Sequence, residues 1–183
     1  MRHMGTVTLE TERLIMRRYT MNDADDMFAN WVTDKEALRF WNWETHRDID
    51  VTRSLLRQWI SEYEKSDYYH WVIVSNADLQ AIGYIYLDSV NESDRSAAVH
   101  YLLSRKYWNR GFMSEACNRV IEYAFCDVGF DRVFSYHHAE NKASGRVMQK
   151  CGMSLIKSEY RHMDNERLSG EYHYYEIKKA NDI

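Results

Sequence analysis

Apolar side chains recur at helical spacing along one long stretch of the chain and alternate with polar side chains in several shorter ones. The clearest helical stripe consists of Met113, Ala116, Cys117, Val120, Ile121, Ala124, Phe125 and Val128. Steps of three and four residues place these side chains on one face of a helix, which predicts packing against a core. Gly129 follows the stripe, where a left-handed glycine commonly ends a helix.

The remaining pattern alternates strands and helices without a repeat or a linker. We predict strands at about 9–18, 69–75, 81–88, 97–103, 132–138, 154–163 and 171–179, and further helices starting near Asn22 or Asp23, after Asp48, and from Asn141 to Cys151. Asp48 is of a type that caps helix starts, and the polar cluster at 76–78 is typical of a turn between strands. This order favours an α+β or α/β sheet with helices on both faces.

Length and composition fit one globular domain. The chain has 183 residues, of which 45% are hydrophobic and 28% charged, and this size does not require a second core. We expect residues 5–183 to form that domain and residues 1–4 to be a cloning remnant or an alternative start. No apolar run approaches the roughly 20 residues of a membrane span, and no signal peptide is recognisable, so we expect no membrane association.

Charge and cysteine usage narrow the function classes. A net charge of −4 argues against a nucleic-acid binder, because such domains are usually basic. Cys117, Cys126 and Cys151 show neither metal-ligand spacing nor a disulfide framework, so we expect free thiols in a cytoplasmic protein. His137 and His138 are neighbours on a predicted strand and point to opposite faces, which leads us to predict no metal site.

The segment before the long helix is suited to binding an anion. Residues 105–116 read Arg-Lys-Tyr-Trp-Asn-Arg-Gly-Phe-Met-Ser-Glu-Ala, a turn around Gly111 that leads into the helix. Unpaired backbone N–H groups and the positive end of the helix dipole at such a start favour a phosphate. An ordinary strand-to-helix turn has the same features, and a lone glycine turn does not distinguish the two.

A second segment gives the turn a specific interpretation. Residues 140–153 read Glu-Asn-Lys-Ala-Ser-Gly-Arg-Val-Met-Gln-Lys-Cys-Gly-Met, and they follow an apolar run at 133–136. The pattern Asn-x-x-Ser-x-x-Val-x-x-Lys-x-Gly-Met resembles the closing motif of the GNAT acyltransferases, specifically their RimJ/RimL-like ribosomal-protein N-acetyltransferase branch. Thr-Glu-Arg-Leu-Ile-Met-Arg at 11–17 resembles the first strand of that branch, and Phe-Trp-Asn-Trp-Glu-Thr-His at 40–46 resembles its aromatic substrate-side loop.

The resemblance extends from about Leu9 to Ile177 and implies both a fold and an activity. The implied fold is the GNAT sheet, mixed but mostly antiparallel, with six or seven strands splayed at the cofactor site and about four flanking helices. The implied activity is transfer of an acetyl group from acetyl-CoA to a primary amine: a protein N-terminal α-amine, a small amine or an amino acid. A homodimer through the last strands is a further family expectation.

By the same resemblance, the turn binds the pyrophosphate of acetyl-CoA. The implied cofactor-binding residues are Trp108, Asn109, Arg110, Gly111, Phe112, Met113, Ser114, Asn141 and Ser144. Arg110 either contacts phosphate or is an ordinary solvated side chain. Met113 stands where the family usually has Gly or Ala, and this bulk at a point of close approach argues for weaker cofactor binding.

Ser144, Asn141 and His100 are the catalytic candidates. Ser144 matches the serine that donates to the leaving thiolate in the RimL branch, whereas the tyrosine of other family members is replaced by Met148. A thiol with a pKa near the ordinary value of about 8.5 needs only a weak donor. Asn141 is expected to contact the cofactor arm or the acceptor, or else only to cap its helix.

The general base is not specified by a matching residue. Many relatives carry Glu in the strand before the turn, but this chain has Ala98 there. His100 falls two residues later, on the same strand face, and an ordinary imidazole pKa of about 6.5 suits deprotonation of an ammonium near neutrality. A structural histidine beside the cleft is the equal alternative.

Aromatic residues are the candidates for acceptor binding. The family positions single out Trp41, Trp43, Glu44 and Tyr86, with Tyr69 and Tyr84 as further aromatic candidates. Glu44 is expected to attract a cationic amine, while many of the aromatics must belong to the core. Because the strand carboxylate and the tyrosine are both replaced, the alternative function is a non-catalytic acyl-CoA-binding sensor or a partner-binding module.

Overall fold

The protein is built around one eight-stranded sheet. The computed structural model describes residues 1–180. The strands are β1 (Leu9–Glu10), β2 (Leu14–Arg17), β3 (Tyr69–Ser75), β4 (Ala81–Asn91), β5 (Ser96–Leu103), β6 (Arg132–His138), β7 (Ser154–Arg161) and β8 (Gly170–Lys178). Their order in the sheet is β1-β2-β3-β4-β5-β6-β8-β7. Neighbouring strands are antiparallel apart from β5 and β6, which are parallel.

Four α-helices accompany the sheet within residues 1–180, in agreement with the predicted number. They are α1 (Ala24–Met27), α2 (Ile49–Ser61), α3 (Phe112–Tyr123) and α4 (Lys142–Lys150). Asp48 caps α2 by accepting the backbone N–H of Asp50 at 2.8 Å. The predicted long helix is α3 followed by a π-helical turn to Val128, and Gly129 ends it with a φ of 88°. None of the helices in the described residues has the length and apolar character needed to cross a bilayer.

Both faces of the sheet are covered, because consecutive side chains of a strand point to opposite faces. Trp71 and Val72 of β3 are neighbours and are both 0% exposed. Trp71 belongs to the core under α3 and α4, whereas Val72 belongs to the core under α1 and α2. All seven residues of β3 are buried, as expected for a central strand covered on both sides.

The number of strands exceeds the predicted six or seven. The predicted strand at 9–18 is in fact two short strands, β1 and β2, which pair with each other in antiparallel register. The turn between them is closed by the Thr11 N–H, which donates to the Leu14 carbonyl at 2.9 Å. The turn at this position reverses the chain, and the polar run at 10–13 separates the two paired strands. Arg2, within the segment 1–4, donates its N–H to the Val128 carbonyl at 2.8 Å.

Candidate functional site

The sheet opens between β5 and β6, in agreement with the predicted splay. These strands pair only through Ser96–Ala98 of β5 and Arg132–Phe134 of β6, although β5 continues to Leu103 and β6 to His138. At the point of separation the Ser135 hydroxyl donates to the Val99 carbonyl at 2.7 Å. The side chain thus satisfies a backbone oxygen that the parallel ladder leaves unpaired.

Two clefts meet at this opening. The first cleft has a volume of about 430 Å³ and lies between the 103–114 segment, the start of α4 and residues 36–41. The second cleft, of about 240 Å³, adjoins the first and lies against β4, β6 and the 40–43 loop. Both are lined by Phe40, Trp41, Tyr101, Asn141 and Ser144.

The first cleft collects most of the predicted cofactor-binding residues. Those that line it are Trp108, Asn109, Gly111, Phe112, Met113, Ser114, Asn141 and Ser144. Arg110 does not line it: its side chain is exposed and lies over the Tyr107 ring at 5.9 Å. Of the two interpretations of Arg110, its placement favours the solvated side chain.

The backbone of the turn is shaped to present N–H groups to the first cleft. Asn109 has a φ of 60° and Gly111 a φ of 81°, both in the left-handed region. Gly111 is the N-cap of α3 and has no side chain to cap the first turn. The first N–H groups of α3 therefore remain available to an anion.

Contacts from outside the turn hold this backbone in place. The Trp108 indole N–H donates to the Leu103 carbonyl at 2.7 Å. The Arg13 guanidinium donates to the Arg110 carbonyl at 3.0 Å and pairs with Glu115 of α3, with Nε to Oε2 at 2.6 Å. The turn and the start of α3 are thus fixed by one arginine that precedes β2.

Most of the Met113 side chain lies in the core and not in the first cleft. Its side chain is only 6% exposed and belongs to the core formed by α3, α4 and the sheet. The core holds most of the bulk of Met113, although the residue also lines the first cleft. Weaker cofactor binding because of Met113 stays a prediction.

Cations that the sequence analysis missed line the first cleft along α4. Lys142, Arg146 and Lys150 are all exposed lining residues, and none forms an ion pair within residues 1–180. Their spacing of four residues places them on one helix face. That spacing is visible in the sequence, but the side on which the face lies is not. A row of unpaired cations beside free N–H groups suits a ligand with several phosphates.

Ser144 lies at the junction of the clefts and is paired with Tyr101, which the sequence analysis did not single out. The Ser144 hydroxyl donates to the Tyr101 oxygen at 3.1 Å, and the Tyr101 hydroxyl donates to the Ser144 carbonyl at 3.0 Å. Burial raises the pKa of Tyr101 well above its usual value, so the phenol stays protonated. The approach of α4 depends on Gly145, where a Cβ would lie 2.6 Å from Nε2 of His137.

Asn141 has the capping role that its position predicts. It is the N-cap of α4, and its side-chain oxygen accepts the Ser144 N–H at 3.3 Å. The amide NH₂ is the part that remains for a ligand, and Asn141 lines both clefts. The two proposed roles of Asn141, capping and ligand contact, are therefore compatible.

His100 lines the second cleft together with an acid that the sequence analysis missed. Its Nε2 lies 3.1 Å from Oδ1 of Asp88, and its ring stacks on Tyr86 with centroids 5.1 Å apart. Burial alone would raise the pKa of Asp88, but the hydrogen bond and the charge of His100 outweigh burial and hold that pKa below its usual value. Asp88 of β4 is paired directly with Ala98 of β5. A carboxylate therefore lies beside the position where relatives carry Glu.

The predicted acceptor residues divide into two groups. Trp41, Trp43 and Tyr86 line the second cleft. Glu44 is exposed and lines neither cleft. Tyr69 and Tyr84 are 1% and 0% exposed and belong to the two cores.

The aromatic loop is anchored by a residue far away in sequence. Arg167 donates from Nη1 to the Arg39 carbonyl and from Nη2 to the Trp41 carbonyl, each at 3.0 Å. Phe40 stacks on His138 of β6, with ring centroids 5.5 Å apart. The loop is thereby held over the junction of the two clefts.

The remaining candidates for chemistry do not form a site. Cys117, Cys126 and Cys151 are free thiols, and Cys117 and Cys151 are buried. His137 is buried on one face of β6, whereas His138 stacks against the loop on the other. Within residues 1–180, no group of three or more His, Cys, Asp or Glu side chains is placed to hold a metal ion.

Comparison with known proteins identifies the family. The family model described as an acetyltransferase (GNAT) domain matches residues 13–154. The chain is 30% identical over 144 residues to the uncharacterized N-acetyltransferase YoaA of Bacillus subtilis (strain 168), covering 79% of this chain and 81% of that protein.

Solved structures share the fold at low identity. The ribosomal-protein-S5-alanine acetyltransferase of Vibrio fischeri has a TM-score of 0.82 at 16% identity, covering 96% of this chain and 98% of that chain. The microcin C7 self-immunity acetyltransferase MccE, in complex with acetyl-CoA and AMP, has a TM-score of 0.78 at 15% identity, covering 92% and 94%. The family model and the likeness to YoaA together show that this chain belongs to the GNAT family of acetyltransferases and is an acyltransferase enzyme.

Proposed function

We propose that the enzyme transfers the acetyl group of acetyl-CoA directly to a primary amine, with acetyl-CoA in the first cleft and the amine in the second. The observation that carries this proposal is that both clefts open onto Tyr101, Asn141 and Ser144 in the gap between β5 and β6. Direct transfer needs the two substrates to meet at one point in a fixed orientation.

Three features support acetyl-CoA as the ligand of the first cleft. The uncapped start of α3 and the row of cations on α4 match the phosphates of a coenzyme A molecule. The first cleft is the larger of the two, as a long cofactor requires. MccE, which shares the fold, has been solved with acetyl-CoA.

His100 and Asp88 support an amine as the ligand of the second cleft. A carboxylate held in its charged form attracts an ammonium, and the neighbouring imidazole can accept a proton from it. The Asp88 carboxylate then stabilises the imidazolium that forms. Asp88 takes the electrostatic role that Glu44 was predicted to fill.

In the proposed reaction, the ammonium first gives a proton to His100. The amine nitrogen then attacks the thioester carbon, so that a C–N bond forms and the C–S bond breaks. The Ser144 hydroxyl turns from the Tyr101 oxygen to donate a hydrogen bond to the departing thiolate. The nitrogen loses a second proton as it becomes an amide, and this proton ends on the sulfur to give the free thiol of CoA. His100 releases the first proton to solvent. Trp41 lines both clefts and lies at the junction where the reacting groups would meet.

A thiol-release assay tests this proposal. Acetyl-CoA is incubated with the enzyme and a panel of amines that includes ribosomal-protein N-terminal peptides, amino acids, short alkylamines and polyamines. Release of CoA that depends on the amine, with the N-acetyl product identified by mass spectrometry, is the expected result. Binding of acetyl-CoA without turnover of any amine would instead indicate the non-catalytic acyl-CoA sensor.

Assembly and location are separate proposals. The outermost strand β7 exposes Leu155, Ile156 and Tyr160 at 54%, 47% and 62%, and this supports a homodimer through the last strands. Light scattering that gives the mass of two chains is expected, and Tyr160→Lys should shift it to the mass of one. Three free cysteines support a cytoplasmic location.

A further inference from the structure

The second cleft contains a guanidinium with no carboxylate partner. Arg161, the last residue of β7, lines this cleft and is half-buried. Its Cζ lies 4.9 Å from the ring centre of Tyr136 and 5.2 Å from that of Tyr172. Within residues 1–180 it forms no ion pair. A guanidinium that rests on two aromatic faces is oriented without using up its hydrogen-bond donors.

The nearest acid on the same strand is already engaged. Glu159 lies two residues before Arg161 and therefore on the same face of β7. Its Oε2 is 2.6 Å from Nζ of Lys157, so its ion pair is with that lysine and not with Arg161. Arg161 therefore remains free to bind an anion that enters from the second cleft.

Arg161 and Asp88 present opposite charges to one small space. The Arg161 guanidinium contacts Tyr136 at 4.9 Å, Tyr136 lies edge-on to His100 at 5.4 Å, and His100 reaches Asp88 at 3.1 Å. The distance from Cζ of Arg161 to the centre of the His100 ring is therefore at most the sum of the Arg161–Tyr136 and Tyr136–His100 distances. Two further histidines, His137 and His138, line this cleft, and burial lowers the pKa of His137. Within residues 1–180, no acid other than Asp88 lines it.

The size of the second cleft favours a small acceptor. Its volume is about 240 Å³, below the range of about 300–1,000 Å³ that is usual for drug-sized ligands. A small molecule in this space contacts both the Asp88–His100 side and the Arg161 side at once. An acceptor with only positive charge would place that charge opposite the Arg161 guanidinium, and the two would repel each other.

We propose that the acceptor is a small primary amine that carries an oxyanion group, a carboxylate or a phosphate, and that Arg161 binds this group. The inference rests on the proposed function and narrows its acceptor class. In this arrangement the amine faces Asp88 and His100, and the planar guanidinium holds the oxyanion with paired hydrogen bonds. Arg161 is then the residue that determines acceptor specificity.

Matched pairs of amines that differ only in the anionic group test this proposal. Phenylalanine is compared with phenylalaninamide, methionine with methioninamide, and phosphoethanolamine with ethanolamine. The amides have the less basic amine, so their larger unprotonated fraction works against the expected preference. The first two pairs test a carboxylate and the third tests a phosphate.

In the wild-type enzyme, kcat/KM for the anionic member of at least one pair should exceed that of its neutral partner by about tenfold or more. Arg161→Gln should reduce this ratio to within about threefold, and Arg161→Lys should retain part of it. Arg57→Gln is the matched control, because it makes the same change at an exposed residue that lines neither cleft. Its ratio should equal that of the wild type.

Three results would overturn the inference. If the neutral members or polyamines are acetylated with the same kcat/KM as the anionic members, the preference for an oxyanion is absent while the proposed function stands. If both Arg161 variants keep the wild-type ratio, another group binds the anion. Absence of turnover for every amine, together with no binding of acetyl-CoA, would remove the proposed function and this inference with it.

Discussion

The Ser144 hydroxyl and the Tyr101 hydroxyl lie 3.1 Å apart, with Ser144 as the donor, and Tyr101 donates in turn to the Ser144 carbonyl at 3.0 Å. The pair joins the start of α4 to β5 at the point where the two clefts meet. Because Tyr101 is held by the backbone of α4, it fixes the position of the Ser144 hydroxyl.

Ser144→Ala should lower kcat by about tenfold or more, because a positioned proton donor typically contributes at least that much. The affinity for acetyl-CoA should stay within about threefold, since the phosphate contacts are unchanged. Steady-state kinetics and calorimetry of the same preparation measure both quantities. Tyr101→Phe removes the hydrogen-bond partner and should cause a smaller loss of kcat. A Ser144→Ala enzyme within twofold of the wild type would rule out the role given to this serine.

Gly111→Ala should weaken acetyl-CoA binding by about tenfold. Alanine disfavours the left-handed conformation of residue 111, so the turn should change shape and no longer present its N–H groups to phosphate. Gly129→Ala is the matched control, since Gly129 has a φ of 88° against 81° for Gly111 and lines neither cleft. Both variants should lose about 1–2 kcal/mol of unfolding free energy from left-handed strain. Equal affinities for acetyl-CoA in the two variants would show that the turn is not the phosphate site.

The pH dependence of catalysis tests His100. Acceptance of a proton requires a neutral imidazole, so kcat/KM should have a limb that rises with pH and that depends on the His100 side chain. Asp88 is not the source of this limb, because its pKa lies below the usual carboxyl value. His100→Gln should flatten the profile. An identical limb in that variant would assign the titration to another group and leave His100 as a structural residue.

Asp88→Asn should lower kcat/KM for amines by about tenfold, since a hydrogen bond to a charged group has roughly this worth. The substitution preserves shape and removes only the charge. Glu44→Gln is the comparison, because Glu44 lies outside both clefts and its loss should have little effect. The opposite ranking of the two variants would restore Glu44 as the acid that attracts the amine.

Acid sensitivity of the fold should depend on His70. Burial lowers the pKa of His70 to about 3, and the side chain is 6% exposed, so the native protein keeps it neutral. The unfolded chain takes up a proton near pH 6.5, so this contribution to stability is complete above that pH and decreases as the pH falls towards 3. Between pH 7 and pH 5 the loss should be about 2 kcal/mol.

Urea unfolding at the two pH values measures this loss. His70→Phe should have a smaller difference between pH 7 and pH 5 than the wild type, whatever its stability at pH 7. His162→Phe is the control, because His162 is exposed and should leave the difference unchanged. An equal pH difference in His70→Phe and the wild type would show that another group titrates.

The features predicted well from the sequence depend on local chemistry. The apolar stripe from Met113 to Val128, the cap at Asp48 and the left-handed Gly129 each follow from residues within a few positions of one another. The splayed sheet was predicted through the family resemblance, and the structure confirms it. The prediction of one strand at 9–18 is wrong at the turn around Thr11, where the polar run at 10–13 separates the two apolar parts.

The residues that were missed depend on long-range pairing. Asp88 reaches the second cleft through the register of β4 with β5, which shifts between Asp88 and Asn91. Tyr101 and Ser144 are 43 positions apart, and Arg161 belongs to a strand on the far side of β8. No local sequence pattern indicates such neighbours. The sequence therefore predicts Glu44, which lies in the aromatic loop itself, as the acid that attracts the amine.

Calorimetric titration of the purified protein with acetyl-CoA, with free CoA alongside, is the sharpest test of the first cleft as the cofactor site. We expect one site per chain with micromolar affinity for acetyl-CoA, and comparable binding of CoA, because the phosphates supply most of the contacts. Absence of heat, together with no thermal shift at millimolar acetyl-CoA, would contradict this assignment and remove the catalytic assignments that depend on the first cleft.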